Sequence, residues 1–389
     1  MNESREDPCF SPEQPLQFER FVLVSIFGTT VAGISIIENV FLCFMLFSKK
    51  SYRSSHCLYL ALLAFFDVLI AGAYIPLMSI NNILDYFQSV VLLRAWFTYM
   101  IPMITLSHIA MTASTFLMVA ASFERYCVTA RPNLAKFLNN NRFKIAAGSV
   151  WLGILTKITH GFEFSVETND ACYGTMAEYS LSLSPLALNE TYMAFWKIWI
   201  RSVFTILMPF FLLAFINARI VVAIQKTEFQ FISAQKLSDA KRKSRVRAAT
   251  RTLVFIVFTY LMSNILNVVI TIWEYIDNEG LTVGFTGFYM FSVDLVSFLT
   301  ILAGALRLPI YITCQKDLRK EFLQSLKNLC YVGPYKHYDQ TAVSALPAGD
   351  DHSQIDEMEG KPYTGLFIQL GTVLIKKDAS DDTLKSRES

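Results

Sequence analysis

The stretch CLYLALLAFFDVLIAGAYIPLMSI, residues 57–80, carries one charged side chain, Asp67, among mostly apolar residues. An α-helix needs about 20 consecutive, mostly apolar residues to cross the hydrocarbon core of a bilayer. This stretch meets that length, and six further stretches of the chain do so as well. The sequence therefore predicts seven spans, at Phe21–Phe47, Cys57–Ile80, Phe97–Phe123, Phe143–Phe162, Ile198–Ile224, Thr252–Trp273 and Phe285–Ile312.

Composition and charge agree with seven spans and predict their orientation. The 389 residues are 53% hydrophobic and only 17% charged, a balance that suits a bilayer better than water. Cytoplasmic loops gather Lys and Arg. The loops after spans one, three and five hold sixteen of these residues, whereas the alternate loops hold only Arg94. We therefore expect an all-α, multi-pass bundle in the plasma membrane, with the amino terminus extracellular and the carboxyl terminus cytoplasmic.

The regions outside the spans carry weaker patterns. Residues 1–20 form a polar extracellular amino terminus without the apolar core of a cleavable signal peptide, so span one serves as the insertion signal. Asn2 and Asn189 each begin a glycosylation sequon on the predicted outer side. Residues 331–389 are polar and predict a disordered cytoplasmic tail.

Several ionisable side chains fall at bilayer depth, where they are costly and predict a paired or functional position. Asp67 with Arg307 is the first-choice ion pair and Glu38 with Arg307 the second. In the alternative, Arg307 extends to the cytoplasmic headgroups. Nearer the outer surface, five more such residues lie where a bundle opens into a cavity: Asp294, Arg201, Lys157, His160 and His108. A single histidine in such a position, here His108, is more often a packing residue of the bundle than a contact to a ligand.

Glu124-Arg125-Tyr126 stands where the long apolar span three meets the cytoplasm. Glu124 can hold Arg125 by a charge-assisted hydrogen bond, which leaves a guanidinium able to change partners. The alternative is an ordinary interfacial ion pair.

These elements resemble, in their order along residues 20–330, the motifs of rhodopsin-class G-protein-coupled receptors. The matching residues are Asn39, Leu63-Ala64-x-x-Asp67, Glu124-Arg125-Tyr126, Trp151, Pro209 and Pro309–Tyr311. The resemblance implies a seven-helix bundle over 21–313 that couples to a heterotrimeric G protein, with arrestin as a further partner. It assigns activation to Glu124, Arg125, Tyr126, Asp67, Arg307, Pro309 and Tyr311. The Ser263-Asn264 and Arg307-Leu308-Pro309-x-Tyr311 elements resemble invertebrate FMRFamide-type neuropeptide receptors.

The resemblance also predicts features on the cytoplasmic side. Residues 314–330 would form an amphipathic helix on the membrane surface, with Leu318, Phe322 and Leu326 on one face and Cys330 as a palmitoylation site. The basic run Lys241–Arg251 would continue span six toward G protein or anionic lipid.

The chain departs from the family pattern at two places. Receptors of this class usually bridge a Cys of span three to the second outer loop, and this chain has none between Cys57 and Cys127. Cys172 is therefore either free or paired with Cys9, which would tie the amino terminus over the pocket. Arg307 stands where relatives have an Asn beside the sodium-binding acid, so we expect weak or absent sodium sensitivity.

The outer surface predicts the ligand class. Its loops carry nine acids against Arg94, a field that would steer a basic ligand inward, although solubility and the positive-inside rule also favour such a face. No Lys lies in span seven for a retinal, and Ser107 replaces the acid of amine receptors. A short basic amidated peptide fits, with its cation at Asp294, Glu274 or Asp85, its ring at Phe288, Tyr289 or Trp273, and Arg201 and His108 as further contacts.

Other classes of function are less consistent with the sequence. The chain has no nucleophile–base constellation, phosphate loop or metal cluster, so we expect no enzyme, cofactor, metal or nucleic-acid partner. A chemosensory receptor for a small molecule is the nearest alternative. A seven-helix transporter is a further one, but it predicts internal repeats and broken helices that are not apparent here.

Overall fold

The computed structural model describes residues 9, 15–48, 57–231, 237–277, 280–315 and 318–324, and this part of the chain is almost entirely helical. Six of its helices are long and apolar enough to cross a membrane by length and composition. Span four is shorter, a helix of 16 residues at Arg142–Lys157. It packs on span three, so seven helices form the bundle that the sequence predicts.

The spans have the following bounds. Span one comprises Gln17–Arg20, Phe21–Gly28 and Thr29–Ser48; span two Cys57–Tyr74, Ile75–Ser79 and Ile80–Phe87; span three Val90–Ala130; span four Arg142–Lys157. Span five comprises Glu190–Tyr192, Met193–Leu207 and Met208–Phe231; span six Leu237–Ile276; span seven Thr286–Ala305 and Arg307–Cys314. Shorter helical segments connect them at Pro132–Asn140, His160–Glu163, Asp170–Cys172, Pro185–Leu188 and Gly280–Gly284.

Several helices end elsewhere than their hydropathy predicts. Span three runs over 41 residues, Val90–Ala130, and so extends beyond Phe97–Phe123 at both ends. Span four ends at Lys157, not at Phe162. Hydropathy marks only the length inside the hydrocarbon layer, whereas backbone hydrogen bonds can continue a helix into water or stop it early.

Close packing of small residues positions span four. A Cβ added at Gly153 would lie 2.8 Å from the backbone nitrogen of Ala113 in span three, closer than side chains tolerate. Glycine at this position therefore lets the two helices touch along their backbones, as small residues do in membrane bundles. Trp151, on the same helix, is 61% exposed on the outer surface of the bundle.

A β-hairpin that the sequence did not predict covers the outer side. Strands β1 (Phe164–Thr168) and β2 (Tyr179–Leu183) pair antiparallel, with Phe164 opposite Leu183. Cys172 lies between the strands and forms a disulfide with Cys9. This is one of the two alternatives that the sequence left open for Cys172.

The same hairpin is fixed to span three without a disulfide. Arg94 donates hydrogen bonds to Glu178 from Nε at 3.0 Å and from Nη2 at 2.8 Å, and its guanidinium lies 4.6 Å from the centre of the Tyr173 ring. The hydrogen bonds from Arg94 hold the pKa of Glu178 below its usual value. An ion pair between Arg94 and Glu178 thus connects span three to the outer hairpin, two segments that a disulfide usually joins in this class of receptor.

Several predictions fall at or beyond the edge of the described residues. Residues 318–324 are helical, Leu318 is buried, and the ring of Phe322 packs edge-on against Phe41 at 5.3 Å. Leu326, Cys330, Asn2 and the tail 331–389 lie outside the described residues, so the amphipathic helix over 314–330 stays a prediction. Asn189 is described, and its side chain is exposed.

Candidate functional site

A cavity of about 1520 Å³ runs down the middle of the bundle. Spans two to seven all contribute to its wall, which extends from Glu274 and Tyr275 at the outer end to Asp67 and Arg307. Its other charged lining residues are Lys157 and Arg201. The cavity therefore joins the outer surface to the residues that the sequence assigns to activation.

An ion pair forms the floor of the cavity. Nη1 of Arg307 lies 2.8 Å from Oδ2 of Asp67, and both side chains are buried. A Cβ added at Gly304 would lie 3.5 Å from the Asp67 carboxyl carbon, and the Gly304 carbonyl accepts a hydrogen bond from Asn39. Oε2 of Glu38, the second-choice acid, has no hydrogen-bond partner among the described residues. The geometry thus corresponds to the first of the two predicted pairings.

Because the Arg307 guanidinium already neutralises Asp67, we expect sodium to stabilise this protein little. Exchanging NaCl for N-methyl-D-glucamine chloride at constant ionic strength should change the unfolding temperature of the purified protein by less than about 1 °C. Differential scanning fluorimetry in detergent measures this shift. A sodium-dependent rise that disappears in Asp67→Asn would contradict the expectation.

A polar cluster occupies the outer wall between spans three, four and five. Glu163 accepts hydrogen bonds from Nη1 of Arg201 at 3.0 Å and from the Tyr192 hydroxyl at 2.7 Å. His160 lies 3.2 Å from the same carboxylate and stacks on His108, with ring centres 4.5 Å apart. Burial alone would raise the pKa of Glu163, but the adjacent His160, the hydrogen bond from Tyr192 and the charge of Arg201 lower it to about 2. Glu163 is therefore ionised.

The predicted acidic ligand contacts lie in different environments. Glu274 lines the cavity and accepts a hydrogen bond from the Tyr289 hydroxyl at 2.7 Å. Asp294 is buried and bound by Nε of Arg20 at 2.6 Å. Asp294 and Asp85 do not belong to the described cavity wall.

Of the three predicted aromatic contacts, one lines the cavity and two do not. Tyr289 lines the cavity, whereas Trp273 and Phe288 pack on each other, with ring centres 6.0 Å apart, outside its described wall. Of the remaining candidates, Arg201 and His108 both line the cavity. The structure therefore brings Glu274, Tyr289, Arg201 and His108 together around one space and places the others beside it.

The carboxyl-terminal end of span three contains an ion pair that the sequence did not predict. Glu124 accepts hydrogen bonds from Nε of Arg142 at 3.0 Å and from its Nη2 at 2.5 Å. Arg125 is 7% exposed beside this pair. In span seven, helix Arg307–Cys314 carries Pro309, and it buries Tyr311 almost completely. The Glu124 carboxylate thus connects span three to span four through Arg142.

Comparison with known families agrees with this arrangement. Residues 38–302, more than half of the chain, match the family described as 7 transmembrane receptor (rhodopsin family). The protein belongs to the rhodopsin family of seven-transmembrane receptors, multi-pass membrane proteins that act in signalling and not as enzymes. No curated protein matches the chain with significant similarity.

Proposed function

We propose that this protein is a plasma-membrane receptor for a short amidated neuropeptide, which it binds in the cavity to activate a heterotrimeric G protein. The observation that carries the proposal is the cavity itself. At about 1520 Å³ it exceeds the roughly 300–1,000 Å³ of a typical small-molecule pocket, which leaves room for several residues of a peptide.

Charge and aromatic groups support a peptide with a basic group. Glu274 is the best-placed partner for a ligand cation, because it lines the cavity and, among the described residues, accepts a hydrogen bond only from the Tyr289 hydroxyl. Asp294 would have to release Arg20 before it could bind a ligand, and Asp85 is a less direct candidate still. The peptide ring would pack near Tyr289, with Trp273 and Phe288 beside it.

Activation needs no bond chemistry. An agonist that binds one conformation more tightly than another shifts the population toward it in proportion to that difference. We infer that the inner ends of spans five and six then separate and that Arg125 receives the G protein, with Tyr126, Pro309 and Tyr311 supporting the active arrangement. Bound G protein should in turn tighten agonist binding, because the coupling is reciprocal. Arrestin and anionic lipid are further proposed partners of the cytoplasmic face.

The proposal is tested by exposing cells that express the protein to a library of amidated peptides, with G-protein activation as the measurement. For a peptide that activates the wild type, Glu274→Gln should lower potency about tenfold or more, because a hydrogen bond to a charged group contributes about 1.5–3 kcal/mol. Glu167→Gln is the matched control, since Glu167 is exposed on β1 and does not belong to the described cavity wall.

Two results would contradict this proposal. An equal loss of potency in Glu274→Gln and Glu167→Gln would show that Glu274 does not contact the ligand cation specifically. Activation by small odorants and by no peptide would favour the chemosensory alternative.

A further inference from the structure

Positive charge exceeds negative charge on one wall of the cavity. Lys157 in span four lines the cavity, is 4% exposed, and forms no ion pair with any side chain that the structure describes. The nearest element carries a single ionised acid, Glu163, which already accepts hydrogen bonds from Arg201 and Tyr192. The one negative charge of Glu163 therefore lies beside two basic side chains, Lys157 and Arg201.

No other described group around this wall balances the excess. The other titratable side chains near it are two histidines and two tyrosines, and none of them brings a negative charge: His108, His160, Tyr192 and Tyr289. The two histidine rings stack within 10° of parallel. A charged ammonium buried without a counter-ion is strongly unfavourable, so an anion placed beside Lys157 would stabilise its charged form. An anion in the cavity can reach this wall, because Lys157, Arg201 and His108 all line it.

The opposite charge lies elsewhere in the same cavity. Glu274 and Tyr289 belong to spans six and seven, whereas the cationic wall belongs to spans three, four and five. A ligand that forms ion pairs with both Glu274 and the cationic wall must carry a positive and a negative group. A purely basic peptide would leave Lys157 without a counter-ion.

We propose that Lys157 and Arg201, with His108 beside them, form a subsite for a carboxylate of the bound peptide, and that the peptide is therefore amphoteric. This inference rests on the proposed function, because it takes the occupant of the cavity to be a peptide. The carboxylate can be an acidic side chain of an amidated peptide or the free carboxyl terminus of an unamidated one. Both offer planar oxygens that match a guanidinium and an ammonium.

Three matched dipeptides separate these sources in a thermal-unfolding experiment on the purified full-length receptor in detergent. Aspartyl-phenylalanine amide carries a side-chain carboxylate, asparaginyl-phenylalanine carries a terminal one, and asparaginyl-phenylalanine amide carries neither. We expect at least one of the two carboxylate-bearing dipeptides to raise the unfolding temperature about 2 °C more than the dipeptide amide that has no carboxylate. Equal shifts from all three dipeptides, including no shift, would overturn the proposal.

Variants of span four assign the effect to the subsite. Lys157→Gln should abolish the difference between the dipeptides with and without a carboxylate, and Lys157→Arg should retain it. Lys144→Gln is the matched control, because Lys144 is exposed on the same helix and does not belong to the described wall. A difference that persists in Lys157→Gln, or that disappears equally in Lys144→Gln, would overturn the assignment. If Lys157→Gln does not fold, the wild type and Lys157→Arg still decide the outcome.

A negative result in this experiment can be distinguished from a negative result in the peptide screen. Unfolding temperature requires neither G protein nor an agonist, so an inactive peptide library leaves the result on the carboxylate standing. Stabilisation by the terminal acid alone would support the subsite and contradict the proposed amidation.

Discussion

Arg307→Asp should remove most of the receptor from the cell surface, because it places a second acid against Asp67 inside the bundle. The two wild-type side chains are 5% and 4% exposed, and the charged atoms lie 2.8 Å apart. Breaking a buried ion pair costs about 3–5 kcal/mol, a large part of the roughly 5–15 kcal/mol that stabilises a folded protein. Surface biotinylation and immunoblotting measure the loss.

The swapped double variant tests whether the effect arises from the pair. Asp67→Arg alone should also impair surface delivery, and combining it with Arg307→Asp should recover part of the loss, since opposite charges face each other again. Arg319→Asp is a control, because that side chain is exposed just after span seven. A double variant no better than either single would show that the two residues do not stabilise each other as an ion pair.

Arg125→Ala should leave surface delivery and ligand binding intact yet abolish agonist-stimulated nucleotide exchange. Arg125 lies near the carboxyl-terminal end of span three, far along the chain from the cavity-lining His108, and Glu124 accepts hydrogen bonds from Arg142. Removing the guanidinium therefore takes away the proposed G-protein contact while the ion pair between spans three and four remains. Nucleotide exchange on purified G protein, driven by a peptide from the screen, is the measurement.

Arg131→Ala is the control for this second prediction. Arg131 is an exposed arginine just beyond the end of span three, so it presents similar charge to the cytoplasm without being buried beside Glu124. Its exchange rate should stay close to the wild-type rate. Signalling retained in Arg125→Ala would refute the role assigned to Arg125.

Hydropathy and charge predicted the bundle well because lipid imposes a simple rule on backbone and side chains. A single segment of this kind can cross the bilayer only if its backbone N–H and C=O groups form their hydrogen bonds within a helix. The same rule identified Asp67 and Arg307 as costly residues and made them the first choice of ion pair, and the structure places them in contact. Helix ends were predicted less well, because the ends of span three lie outside the layer where the rule applies.

The partners of the other charges could not be predicted by such a rule. Depth in the membrane identifies a charge that needs a partner but does not tell whether a ligand or the protein supplies it. Asp294 was assigned to ligand, yet its partner Arg20 lies 274 positions earlier in the chain. One pattern could have indicated Arg20: it is a basic residue at the outer edge of span one, where basic residues are otherwise scarce. No comparable pattern marked Arg142 or the β-hairpin.

The bond between Cys9 and Cys172 closes a covalent ring of chain that contains the first four spans. A single proteolytic cut in any loop inside that ring would leave the two fragments joined until the cystine is reduced. Spans five, six and seven lie outside the ring and contact it through non-covalent interactions such as that between Arg20 and Asp294. Covalent topology therefore divides the receptor into a tethered part and an untethered part, and the untethered part contains the two helices whose inner ends are proposed to move.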